Sequence, residues 1–298
     1  MTPKFETGKA LGFALDVFRA RPRTFIILAV WTIVYGGVLG SLQLLYTGED
    51  MAAYATRVTA ASAGGNEDPA AVLAAMGQYF SSIAPFAAVA LILGILFECA
   101  WLRLFVRGQD GGLFPFRIGR DEAVYTISGV MLVLLMFAVF LLAIIALFVI
   151  TLLLAVAGPA GAMIAGGVAL LAMSGLIIVI LTLFSPVLAL SILRGRSAVG
   201  AGIRGARQVF WPLLGSLIVT LVLAMAAYLL FSSVMGVMPF DQFGQTAPGQ
   251  MAAWPLLFVY FAFVQALNVI PAALMRGVAS YAALQIDESN RPVSDTFN

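Results

Sequence analysis

The chain has 298 residues, of which 62% are hydrophobic and only 10% charged, whereas about a quarter of the residues are charged in an ordinary soluble domain. This composition excludes a water-soluble globular protein and predicts one that is solvated by lipid. Histidine is absent and Cys99 is the only cysteine. The residue counts therefore exclude a disulfide framework, a zinc cluster and any Ser-His or Cys-His nucleophile.

The apolar runs predict an all-α integral membrane protein with six transmembrane helices. A bilayer core is about 30 Å thick, so each stretch of ~20 apolar residues is a candidate span. Barrel strands would alternate apolar and polar residues, and the long runs of Leu, Ile, Val and Ala here do not. The predicted spans cover residues 24–46, 82–106, 125–157, 162–193, 211–237 and 254–275. They form one polytopic domain over residues 1–284, and a flexible polar tail is predicted over residues 285–298.

Residues 70–80 and the apolar run at 125–193 each allow more than one arrangement of helices. An apolar pattern over residues 70–80 predicts a short helix that lies on the membrane surface or extends the second span. The run at 125–193 is long enough for three helices, but two long, tilted helices are preferred. The reason is that the flanking segments 103–120 and 194–207 are both basic, and an even number of crossings places them on one side of the membrane.

The placement of charge predicts the orientation. Every Lys and Arg except Arg57 falls on the side of the N-terminus in the six-span arrangement, whereas the opposite loops carry acids such as Glu49 and Asp241. Because basic residues concentrate on the cytoplasmic side, we expect a multi-pass protein of the bacterial inner membrane with both termini in the cytoplasm.

Two amphipathic segments precede odd-numbered spans and predict interfacial helices on the cytoplasmic side. Leu11, Leu15 and Phe18 repeat at helical spacing before the first span, and Val199 and Ile203 begin a similar repeat before the fifth. The accompanying basic residues are candidate contacts for anionic lipid: Arg19, Arg21, Arg23, Arg204 and Arg207. These arginines serve equally well as a topology signal alone.

Each predicted pair of spans ends in an arginine at the inner boundary, namely Arg103, Arg194 and Arg276. This regularity predicts three hairpin repeats around a common centre. The third interfacial segment, at residues 114–122, lacks the helical spacing of the other two. Asp121 and Glu122 open the third span on its inner side, where acidic residues complement the helix dipole.

Three segments carry a resemblance to a known family: GFA at 12–14 leading to RPR at 21–23, GLFPF at 112–116, and GIRGAR at 202–207 leading to WP at 211–212. They resemble the membrane domain attached to some bacterial glycerophosphodiester phosphodiesterases, and YciC-type inner-membrane proteins of unassigned function. The resemblance implies a six-helix bundle linked to lipids or the cell envelope. It does not imply phosphodiesterase activity, which in those enzymes belongs to a separate soluble domain built on histidines and metal-binding carboxylates.

Glu98 is the only acidic residue of the sequence that lies inside a predicted span. A charged carboxylate there costs about 2.5–3.5 kcal/mol on insertion scales, so it should pair, become protonated or face the bundle interior. Gln265 and Asn268, on one face of the sixth span, are the candidate partners. The site binds a proton, a cation or a lipid amine, or it is a structural hydrogen bond between helices.

The leading hypothesis is a non-enzymatic inner-membrane protein that interacts with membrane lipids, anionic ones included, or with a membrane-protein partner or a second copy of itself. The alternative is a small-solute or ion transporter that uses Glu98. The sequence indicates no catalytic residue, metal, cofactor or nucleic-acid partner.

Overall fold

The computed structural model describes residues 5–62, 69–109, 111–155, 158–235 and 254–289. All regular structure within these ranges is α-helical, and it comprises eight helices. The helices are α1 (Thr7–Ala20), α2 (Pro22–Ser62), α3 (Pro69–Arg107), α4 (Arg120–Ala155), α5 (Pro159–Arg194), α6 (Val199–Gln208), α7 (Phe210–Met235) and α8 (Trp254–Ser289). Six of them in the described ranges, all except α1 and α6, are long and apolar enough to cross a membrane, which confirms the all-α, six-span class.

The apolar run at 125–193 consists of two long helices, as preferred from the charge pattern. α4 ends at Ala155 and α5 begins at Pro159, directly after Gly158. Gly158 has φ +81°, a conformation that favours glycine, and proline is well suited to the first position of a helix. Residues 156 and 157 of the third predicted span and residues 236 and 237 of the fifth lie outside the described residues.

The first two spans extend beyond the membrane as a helical hairpin. α2 has 41 residues and is therefore about 61 Å long, twice the thickness of a bilayer core. The segment at 70–80 is the start of α3, so it extends the second span. Asp50 accepts a hydrogen bond of 2.7 Å from Gln78, and the rings of Tyr54 and Tyr79 stack at 5.8 Å. These contacts hold the two extensions together.

The C-terminal helix corrects the predicted boundary of the flexible tail. α8 continues to Ser289, and Ile286 within it is completely buried. Asp287, one residue later, pairs with Arg194 at 2.8 Å. This part of α8 therefore belongs to the packed bundle, because Ile286 lies against Gly205 of α6 and Asp287 pairs with Arg194 of α5. Residues 290–298 of the predicted tail lie outside the described residues.

The packed core is concentrated at one end of the bundle. We call it the basic end, and it consists of α1, α6, the loop at 111–119, and the adjoining ends of the six long helices. Buried clusters there join Leu190 to Ile286, Leu28 to Trp101, and Leu213 to Val278. Farther along the long helices many large apolar side chains are exposed, as expected for surfaces that lipid covers.

Helices α1 and α6 both form, and small residues bring them close to α8. α1 buries Ala10 and Ala14, whereas Leu15 and Phe18 of the predicted apolar face remain exposed. α6 buries Gly202 and Gly205, and a methyl group added at Gly205 would overlap Ile286. Both helices thus pack on protein along one face.

The close approach of α1 to α8 predicts the effect of Gly277→Val. A Cβ atom at Gly277 would lie 2.9 Å from the Cβ atom of Ala14 and 3.1 Å from its backbone nitrogen, which cannot move independently of α1. We expect overpacking to lower the free energy of unfolding by about 1–3 kcal/mol, measured by thermal unfolding in detergent. Gly215→Val is the matched control, since a Cβ atom there meets nothing within 4 Å. Equal melting temperatures for the two variants would contradict the packing.

Candidate functional site

Arginines that the sequence places at the ends of the hairpins form ion pairs between helices. Arg103 of α3 pairs with Glu122 of α4, Arg194 of α5 with Asp287 of α8, and Arg276 of α8 with Glu98 of α3. These three pairs connect α3, α4, α5 and α8 at the basic end. The regular placement of arginine therefore has a structural function that the hydropathy pattern did not reveal.

The partner of Glu98 is Arg276. The Nε atom of Arg276 donates to both carboxylate oxygens, at 3.1 and 2.9 Å, and its Nη2 atom donates to Oε1 as well. The guanidinium carbon also lies 5.5 Å from the ring centroid of Trp101, within the range of a cation–π interaction. Both partners are partly buried. The carboxylate is thus satisfied by a charge-assisted pair with forked geometry, the strongest type of hydrogen bond in this region.

The two residues predicted to accompany Glu98 lie elsewhere on α8. The side chain of Gln265 packs where Gly36 of α2 has no side chain of its own, and Asn268 donates 3.0 Å to the carbonyl of Val264 on its own helix. Asn268 precedes Arg276 by eight residues, which is about 12 Å along a helix. The structure therefore corrects the predicted partners: Gln265 and Asn268 contribute to packing on α2 and to the surface of α8, respectively.

Among the described residues, Arg103 belongs to a cluster of four charged side chains, and Arg103 itself is only 4% exposed. Its Nη1 atom donates to the Glu122 carboxylate, and its Nη2 atom donates 3.2 Å to the carbonyl of Pro115. Arg107, one turn later, donates 2.9 Å to Asp121 and also to the carbonyl of Ile192 on α5. Asp121 and Glu122 do lie in the first turn of α4, but they also anchor α4 to α3.

The five arginines predicted to contact lipid fall into two groups. Arg19 lies 3.7 Å from Asp16 on the exposed side of α1, and the half-buried Arg21 lies beside Gly108. Arg23, Arg204 and Arg207 are exposed, and none of them makes an ion pair with another described residue. The charge on this second group is therefore available to groups outside the chain.

The described ranges contain no group of three or more histidine, cysteine, aspartate or glutamate side chains that could hold a metal ion. No family model, curated protein sequence or solved structure matches the chain. The resemblance to the phosphodiesterase-associated membrane domain and to YciC-type proteins stays a prediction.

Proposed function

We propose that this chain is a non-enzymatic protein of the bacterial inner membrane, with both termini in the cytoplasm, that interacts with anionic lipids at its basic end. The positive-inside rule supports the orientation, since the basic end carries every Lys and Arg of the described residues except Arg57. The membrane-domain family that the sequence resembles has the same expected location.

The observation that carries the proposal is the division of the arginines. Arg103, Arg107, Arg194 and Arg276 are used within the bundle, whereas Arg23, Arg204 and Arg207 point away from it with no acidic partner among the described residues. Packing within the bundle therefore explains the first group of arginines but not the exposed group. Positive groups at a membrane surface attract anionic headgroups by about 1 kcal/mol each.

The test is the charge reversal Arg204→Glu, Arg207→Glu. We expect the enrichment of phosphatidylglycerol over phosphatidylcholine around the protein to fall, by up to about fivefold for each arginine, because attraction is lost and repulsion is added. The measurement is quantitative lipid analysis of protein purified from vesicles of equal composition.

Arg57→Glu is the matched control, because Arg57 is exposed and lies at the opposite end of the bundle. Enrichment should also decline with added salt in the wild type, since screening weakens exposed charges. An Arg204→Glu, Arg207→Glu variant with unchanged enrichment would refute the proposal.

The competing hypothesis is a solute or ion transporter that uses Glu98. The ion pair with Arg276 occupies both oxygens of the Glu98 carboxylate. This hypothesis therefore requires the pair to break during each transport cycle, and it stays a prediction. An interaction with a membrane-protein partner or a second copy of the chain likewise stays a prediction.

A further inference from the structure

An apolar groove lies between α2 and α3, on the side of the bundle away from α6. It has a volume of about 550 Å³. Trp31 and Leu42 mark its two ends on α2, Val89 and Phe97 line it on α3, and Phe116 and Arg117 of the connecting loop close it at the basic end. Its walls are almost entirely hydrocarbon, and the exposed side chain of Val89 shows that it opens laterally.

The groove has the length of one membrane leaflet. Trp31 and Leu42 are eleven residues apart on a continuous helix, which corresponds to about 16 Å. Half of a bilayer core is about 15 Å thick. The groove is therefore long enough to hold an acyl chain against α2 and α3 over a distance comparable to one leaflet.

The loop that closes the groove is held in place by specific contacts. The indole nitrogen of Trp31 donates 2.9 Å to the carbonyl of Leu113. The ring of Phe116 lies 4.4 Å from that of Phe97 and 5.8 Å from that of Trp31, measured between centroids. The loop thus packs against both α2 and α3, and these contacts fix the closed end of the groove.

Arg117 gives the groove a charged end. It is exposed and makes no ion pair in the described part of the chain, whereas Arg103, which donates to the Pro115 carbonyl of the same loop, is paired with Glu122. A cation at one end of an apolar groove of this length complements an amphiphile with an anionic head and a hydrocarbon tail. Guanidinium groups bind phosphate oxygens through two parallel hydrogen bonds.

We propose that the groove binds one anionic phospholipid, with an acyl chain between α2 and α3 and its phosphate at Arg117. This proposal rests on the proposed function only in that both take an anionic lipid as the ligand. α6, which carries Arg204 and Arg207, packs on α4, α5, α7 and α8, whereas the groove lies between α2 and α3, so the two lipid contacts are at different places on the bundle. The groove contact is stoichiometric, whereas the exposed arginines of α6 attract surrounding lipid.

Native mass spectrometry with dioleoylphosphatidylglycerol, and with the zwitterionic phosphatidylcholine of the same chains, tests the proposal. We expect the wild type to retain one phosphatidylglycerol per chain. Val38→Trp, which places an indole in the groove, should reduce its occupancy at least tenfold. Arg117→Gln should lower the binding of phosphatidylglycerol relative to phosphatidylcholine by about tenfold, while the groove still binds an acyl chain.

Leu91→Trp is the control for added bulk, because Leu91 is an exposed residue of α3 that does not line the groove. The Arg204→Glu, Arg207→Glu variant should keep the single bound lipid. If that variant keeps the lipid but loses none of the surrounding enrichment, the proposed function fails and the groove proposal stands. If Val38→Trp retains the lipid, the groove proposal fails alone.

A second measurement covers the case in which Val38→Trp does not fold. Phosphatidylglycerol with a photoreactive acyl chain is crosslinked to the wild type, and the modified peptides are identified. Crosslinks concentrated at residues 89–97 of α3 support the proposal. Crosslinks spread over the exposed faces of α4 and α7 instead would overturn it.

Discussion

Arg103→Met is expected to lower the free energy of unfolding by about 3–5 kcal/mol, because it leaves the buried carboxylate of Glu122 without its cation. Arg103 is 4% exposed and Glu122 is 6% exposed, so water does not reach the unpaired charge easily. The carbonyl of Pro115 loses its donor as well. The measurement is equilibrium unfolding in detergent micelles, followed by tryptophan fluorescence.

The double variant Arg103→Met, Glu122→Leu identifies the cause. Because it removes both charges, it should recover much of the stability that the single variant loses. Arg207→Met is the matched control: Arg207 is exposed, and we expect a change within about 0.5 kcal/mol. If Arg103→Met and Arg207→Met destabilise equally, the cluster around Arg103 has no structural role.

The second large effect is expected for Arg276→Glu, which places a second carboxylate beside Glu98 within the bundle. An ionised carboxylate at membrane depth costs about 2.5–3.5 kcal/mol on insertion scales, and repulsion between like charges adds to this cost. We expect little folded protein in the membrane fraction. The yield and the melting temperature of the detergent-extracted protein measure it.

The exchange Glu98→Arg, Arg276→Glu should restore much of the yield, since it rebuilds a pair of opposite charges between the same two helices. Asn268→Ala is the control, because the sequence predicts Asn268 as a partner of Glu98 and the structure places it on the surface of α8. A loss of yield in Asn268→Ala as large as that in Arg276→Glu would show that the assigned partner of Glu98 is incorrect.

The spans were predictable because hydropathy and charge act locally. A run of about 20 apolar residues must form a helix in lipid whatever surrounds it. The positions of α1 and α6 were likewise visible from their apolar spacing. The far ends of α2 and α8 were not, since these helices continue as polar or mixed sequences after the apolar run, and contacts with other helices stabilise them there.

The partners of the charged residues were not predictable from one sequence. Arg276 is 178 residues from Glu98, and only the packing of α8 against α3 brings them together. Arg204 and Arg103 look alike in a charge pattern, although one is exposed and the other buried. The groove gives no signal at all, because the residues that line it are the same apolar types that face lipid elsewhere.

The position of α8 has a consequence for how the protein is made. α8 packs against α1, α2, α3, α5, α6 and α7, yet it is the last of the described helices to leave the ribosome. Until it is inserted, Glu98 is in the membrane without Arg276, and α1 lacks the helix whose Gly277 lies against Ala14. Assembly is therefore completed late, and premature termination of translation before residue 254 yields a chain with an uncompensated acidic residue in the bilayer.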